Sequence, residues 1–197
     1  MTSTAAAPDF IGATRRWLER AVIGLGLCPF AAAAHDFGRV RFAVSEQHTP
    51  EGLREDLCAE LTRLHAADPR DCETTLLIHP YALSRFADYN EFLGVADAAL
   101  GALGLEGEIQ IASFHPAYRF AGARPDAIEN YTNRSPYPLL HLLREASIER
   151  ALRGWPDPAE IYRRNIRTMQ SLGLEGWRRL WLDAGASLDV HSAETNG

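Results

Sequence analysis

The side chains best suited to chemistry lie between Gln110 and Glu149, in QIASFHPAYRFAGARPDAIENYTNRSPYPLLHLLREASIE. His115 follows an apolar run and precedes Pro116. An imidazole at a strand end with a rigid exit can titrate near neutrality and serve as general acid, general base or metal ligand. A polar stretch follows with Arg119, Arg124, Asn130, Thr132, Asn133, Arg134 and Ser135. Guanidinium forks match carboxylate or phosphate, and Ser135-Pro136 reads as the start of a helix whose free N–H groups would add to an anion pocket. Arg134, with Arg119 or Arg124 and with Asn133 and Ser135, is the expected substrate-binding set. An efficient cap and turn with solvated arginines would leave the same pattern.

On that helix His141 and Glu145 are four apart and share a face, as two metal ligands or as a base with its orienting carboxylate. An exposed ion pair explains the spacing equally well. Cys28 presents a thiol before Pro29 and could act as a nucleophile. It stands at the expected end of a helix, where the dipole disfavours a thiolate, and a small buried hydrophobe is the commoner role of such a residue. His79 also ends an apolar run and precedes a proline. With His115 and His141 it makes an alternative three-histidine metal set, although no close spacing such as HExxH accompanies it.

Composition bounds what these groups can do. A chain of 197 residues that is 46% hydrophobic can bury the core of a single domain. A net charge of −6 argues against a nucleic-acid protein, since binding phosphate backbones relies on a positive face. All 20 basic residues are arginine. The absence of lysine excludes a pyridoxal-phosphate Schiff base and a P-loop nucleotide site, and the cofactor is otherwise unknown. Three cysteines without CxxC spacing, and no charged-then-apolar leader, point to a reducing cytoplasm. No apolar run approaches the ~20 residues that a membrane span requires.

Several elements would position the candidate groups. Asp9 caps a helix running to about Leu27, with Leu18, Ala21, Val22 and Leu25 on one side. Arg39 to Ser45 alternates as a strand, and Thr49-Pro50 opens a helix with Leu53, Leu57, Leu61 and Leu64 as its stripe. Thr74 to His79 is a covered strand, and Ser84 caps a helix that carries Tyr89, Leu93, Ala96 and Leu100. Glu108 to Phe114 is a third strand, with Ile109 and Ile111 on one face and Ala112 and Phe114 on the other. Three helices follow. One starts at Ser135-Pro136 and packs through Leu139, Leu142, Leu143 and Ala146. The next starts at Asp157-Pro158 with Glu160 completing a capping box, and the last runs from about Leu174 to Ala184.

Strands alternating with helices imply right-handed crossovers and an α/β fold. The expected architecture is a small sheet of three strands, or four, mainly parallel, with flanking helices and a helical C-terminal part; the alternative is an antiparallel α+β sheet. One domain spans 9–185, between tails at 1–8 and 186–197. In a parallel sheet His79 and His115 stand on one rim, outside the carboxyl ends of the strands, where ligands bind.

The segments RWLERAVIGLGLCPFA (16–31), QIASFHPAYRFAG (110–122) and NYTNRSPYPLLHLLREASI (130–148) resemble those of the mostly bacterial family labelled domain of unknown function 1415. The likeness runs from about Phe10 to Gly173. It implies a single-domain family member and assigns no catalytic role. From the residues, the leading expectation is a small cytoplasmic enzyme, a hydrolase, transferase or lyase, acting on an anionic carboxylate or phosphate metabolite. His115 would be its acid/base, assisted by Cys28 or by His141 with Glu145. The competing expectation is a non-catalytic module that binds an anion or a protein partner, or a metalloprotein of His79, His115 and His141.

Overall fold

The computed structural model describes residues 8–153 and 157–182. The expected tails at 1–8 and 186–197 lie, except for Pro8, outside the described residues, as do the last residues of the expected 174–184 helix. Asp9 caps α1 (Phe10–Trp17) by accepting the Gly12 N–H. The helix then widens into π-helical turns at Leu18–Ile23, where the Gly24 N–H reaches back to the Glu19 carbonyl. A short helix that the sequence analysis missed, α2 (Ala31–Asp36), precedes β1 (Val40–Val44). Next come α3 (Pro50–Ala66), capped by Thr49, and β2 (Thr74–Ile78). The helix α4 (Phe86–Ala102) starts after Arg85 and receives no side-chain cap, so Ser84 does not play the expected part.

After β3 (Ile109–Phe114) and a 3-10 turn at Ile128–Asn133, the chain departs from expectation. Leu139–Arg144 is a strand, β4, and only then comes α5 (Glu145–Leu152). Leu139 through Leu143 are all buried. A continuous apolar run covered on both faces suits a central strand, and its burial there overrides the helix preference of leucine. The last helix, α6 (Pro158–Leu182), is broken at Gly173, whose φ of 63° separates two helical pieces about where two helices were expected. Glu160 does not close a capping box: its carboxylate binds Arg163 and Arg167, while Asp157 accepts the Ala159 N–H.

The sheet order is β1-β2-β4-β3. β1 and β2 are parallel, and β4 is antiparallel to both β2 and β3. The sheet is therefore mixed, which corrects the mainly parallel expectation and meets the antiparallel alternative part-way. Because β4 alone is reversed, β1, β2 and β3 still point one way and end on one rim.

Helices cover both faces. Leu77, Leu140, Leu142 and Ile109 meet the leucine stripe of α3 and Tyr89, Phe92 and Ala96 of α4. Leu76, Ile78 and Leu139 meet Trp17, Leu18 and Val22 from the N-terminal helix and Met169 and Trp177 from α6. Arg144 closes the lower end of α3 by donating to the Leu64 and Ala67 carbonyls, the favourable place for a cation at a helix C-terminus.

Candidate functional site

The rim where β1, β2 and β3 end carries His79, His115 and the segment 133–138 that leads into β4. Register places them side by side: Ile78 and Phe114 both pair with Leu139, and the His79 N–H donates to the Pro138 carbonyl. Between the two imidazoles stands Tyr89 of α4, its ring centroid 5.7 Å from that of His79 and 5.1 Å from that of His115. Its hydroxyl donates to the Leu139 carbonyl and accepts the Phe114 N–H, each at 2.9 Å, so it is inserted into the end of the β3–β4 ladder. Burial pushes the Tyr89 phenol above its usual range and keeps it protonated. From the sequence alone Tyr89 is expected only as a core position of a helix.

Both histidines are interior. His115 is 1% exposed, and both of its ring nitrogens are engaged by the protein's own backbone. Nδ1 accepts the Ala117 N–H at 3.0 Å, so the proton resides on Nε2, which donates to the Leu83 carbonyl at 3.2 Å. Burial lowers its pKa. His79 is fully buried; its Nδ1 donates to the Ala82 carbonyl at 3.1 Å, which leaves Nε2 as a bare acceptor with no partner among the described residues. Burial, and to a lesser degree proximity to His115, hold its pKa at about 4. The β2–α4 connection is thus tied down by two imidazoles. Within it Leu83 has a φ of 57°, a left-handed conformation rare for a branched side chain.

The arginines do not converge on His115. Arg134 stacks on Tyr131 at 4.1 Å and donates to the carbonyls of Tyr118 (3.4 Å) and Pro125 (2.8 Å). Its own carbonyl accepts the indole N–H of Trp17. Arg124 pairs with Asp126 and is 83% exposed, while Arg119 points to solvent with no partner among the described residues. Ser135 opens no helix: its hydroxyl turns to the Tyr137 carbonyl, and Asn133 donates to the Ser113 carbonyl. Asn130, fully buried, accepts the Phe120 N–H and donates to the Arg124 and Pro125 carbonyls. His115, Asn130 and Arg134 together therefore hold the loop 116–127 from beneath. The length and polarity of that loop were visible in the sequence, but its internal bonding was not.

The remaining candidates lie elsewhere. His141 sits in the middle of β4, not on a helix. Its Nε2 donates at 2.7 Å to the Thr74 hydroxyl, which in turn donates to the Leu142 carbonyl at 2.6 Å. Full burial holds its pKa at about 3. Glu145 begins α5 at the opposite rim, where its N–H meets the Glu108 carbonyl, so the shared helical face expected for His141 and Glu145 does not exist. The Cys28 thiol packs among apolar groups below α2. Burial raises its pKa, against a smaller lowering by the Phe30 and Ala31 N–H groups. Among the described residues no group of three histidine, cysteine, aspartate or glutamate side chains is arranged to hold a metal ion. None of the described helices is long and apolar enough to cross a membrane.

No curated protein and no solved structure matches the chain. The family model described as protein of unknown function (DUF1415) matches residues 9–179, in agreement with the resemblance carried by the three motifs, and the chain belongs to that family.

Proposed function

We propose that this chain is a non-catalytic binding module in which loop 116–127 is a pre-shaped recognition element for an acidic ligand or partner. The observation that carries this reading is the state of His115: it is interior, and both ring nitrogens are bound to the backbone on either side of it. A general acid/base needs one nitrogen within reach of the substrate, and this ring offers none in this state. Its work is instead to hold Ala117 and Leu83, as Asn130 and Arg134 hold the rest of the loop. Long loops in compact domains are more often functional than idle, and an ordered loop loses less freedom on binding than a slack one. Arg119, without a partner among the described residues, and Arg124, held among them only by the exposed Asp126, are the guanidiniums left for an incoming carboxylate or phosphate.

Binding to an array of acidic and phosphorylated peptides, and to phosphate and citrate by thermal shift, tests the reading. The double variant Arg119→Ala, Arg124→Ala should lose binding at an unchanged melting temperature. Undiminished binding by that variant would remove the loop from consideration.

One observation favours a second reading, the small enzyme with His115 as acid/base. The unpartnered Nε2 of His79 and the left-handed Leu83 lie in one connection, and displacement of residues 80–85 would bare both imidazoles. Turnover of an anionic metabolite that disappears in His115→Gln, while the fold and loop binding persist, would establish this alternative.

A further inference from the structure

We infer that the free edge of β1 is a self-pairing surface, and that a second copy of this chain adds to it antiparallel about Phe42, extending the sheet through both molecules. The Ser45 N–H donates to the Ile78 carbonyl and the Arg39 carbonyl accepts the Thr74 N–H, so the odd-numbered residues of β1 face β2. Val40, Phe42 and Val44 therefore turn their N–H and C=O groups outward, and no described residue supplies partners for them. The edge lacks most of the usual protection. It carries no proline, lysine or bulge, and its register with β2 is unbroken. Its charged residue, Arg41, is drawn back onto Glu60 by bonds of 2.7 and 2.9 Å.

The outward set is symmetric about its centre. Two antiparallel copies set Phe42 against Phe42 and Val40 against Val44, so that each pair can exchange both backbone hydrogen bonds. In the same register Arg41 of the second copy comes opposite Ala43, on the α3 side of the sheet. A hollow of about 280 Å³ lies there, between Ala43 on the strand and Asp56, Ala59 and Glu60 on α3. Glu60 already holds its own Arg41, but Asp56 accepts only the Ser45 hydroxyl, at 2.6 Å, and meets no cation among the described residues. The small Ala43 makes room for a guanidinium, and the unneutralised Asp56 calls for one. The symmetry brings Arg41 of the other copy, whose Nη1 is left over when Nε and Nη2 bind its own Glu60, beside the hollow that the first copy's Arg41 also lines, while keeping the two arginines off direct opposition. On the other face the two Phe42 rings approach each other, each beneath its own Arg15 at 4.5 Å.

The test is sedimentation equilibrium of the full chain over a wide concentration range, with two variants. Wild type should pass from the 21.8 kDa chain to twice that mass as concentration rises. Asp56→Arg places like charge against the incoming Arg41 and should remain monomeric with an unaltered circular dichroism spectrum. Phe42→Cys should form an intermolecular disulfide between the two substituted positions under mild oxidation, since directly opposed residues in such a pair lie about 5.5 Å apart, within disulfide reach. A wild-type chain that is monomeric throughout, a folded Asp56→Arg that dimerises like wild type, or a dimer in which the substituted positions do not cross-link, overturns the proposal. Should Asp56→Arg fail to fold, the cross-link decides alone.

Discussion

Lowering the pH from 7 to 5 tests whether the buried histidines are neutral fixtures of the fold. His79 and His141 have native pKa values of about 4 and about 3, both lowered chiefly by burial, against 6.5 for a free imidazole. Between 6.5 and the native value the unfolded chain binds the proton and the folded chain does not, so stability is complete above 6.5 and falls as acid is added. Each such group removes about 1.4 kcal/mol per pH unit once well below 6.5. From pH 7 to 5 the two together should remove about 4 kcal/mol, from a total of roughly 5–15 kcal/mol for a typical domain. His115, lowered in the same direction, adds to this. Urea unfolding at pH 7, 6 and 5, followed through the buried Trp17 and Trp177, measures the loss. His141→Gln retains a donor toward Thr74 and removes one titrating group, so its loss over the same range should be about 2 kcal/mol smaller. A free energy of unfolding that stays level from pH 7 to 5 in the wild type would refute the reasoning, because protons would then reach these rings at no penalty.

Other substitutions report on single parts of the architecture. Tyr89→Phe removes the hydroxyl shared by Phe114 and Leu139; it should cost about 1–3 kcal/mol in thermal unfolding and speed hydrogen exchange at the Phe114 amide. Thr74→Val leaves the His141 N–H unpaired in the interior and should destabilise by a similar amount, whereas Thr74→Ser should come close to wild type. Arg134→Ala frees the Tyr118 and Pro125 carbonyls, and limited proteolysis should then cut within 116–127, where the wild type resists.

Local chemistry announces itself well in this chain, and long-range pairing does not. Asp9 and Thr49 cap their helices as their types and positions suggest, and the alternation in β3 separates Ile109 and Ile111 from Ala112 and Phe114. The placement of His79 and His115 on one rim was also legible, although the parallel neighbours assumed for it are absent: β4 intervenes, and common direction survives because only that strand is reversed. The segment 139–144 was misread because leucine serves helix and covered strand alike, and only the gap between β2 and β3 decides between them. The burial of His115 lay beyond reach as well. A histidine before proline looks the same whether its nitrogens face a cleft or a turn whose carbonyls come from residues 82–83.

The late position of β4 in the chain has a consequence for biogenesis. Its partners at 74–78 and 109–114 leave the ribosome well before residues 139–144, so each waits with a raw hydrophobic flank until the missing strand threads between them. Contacts so remote in sequence slow the search for the native state and prolong the exposure of sticky intermediates. Truncated chains that stop short of residue 144 should accordingly be poor folders and ready clients for chaperones.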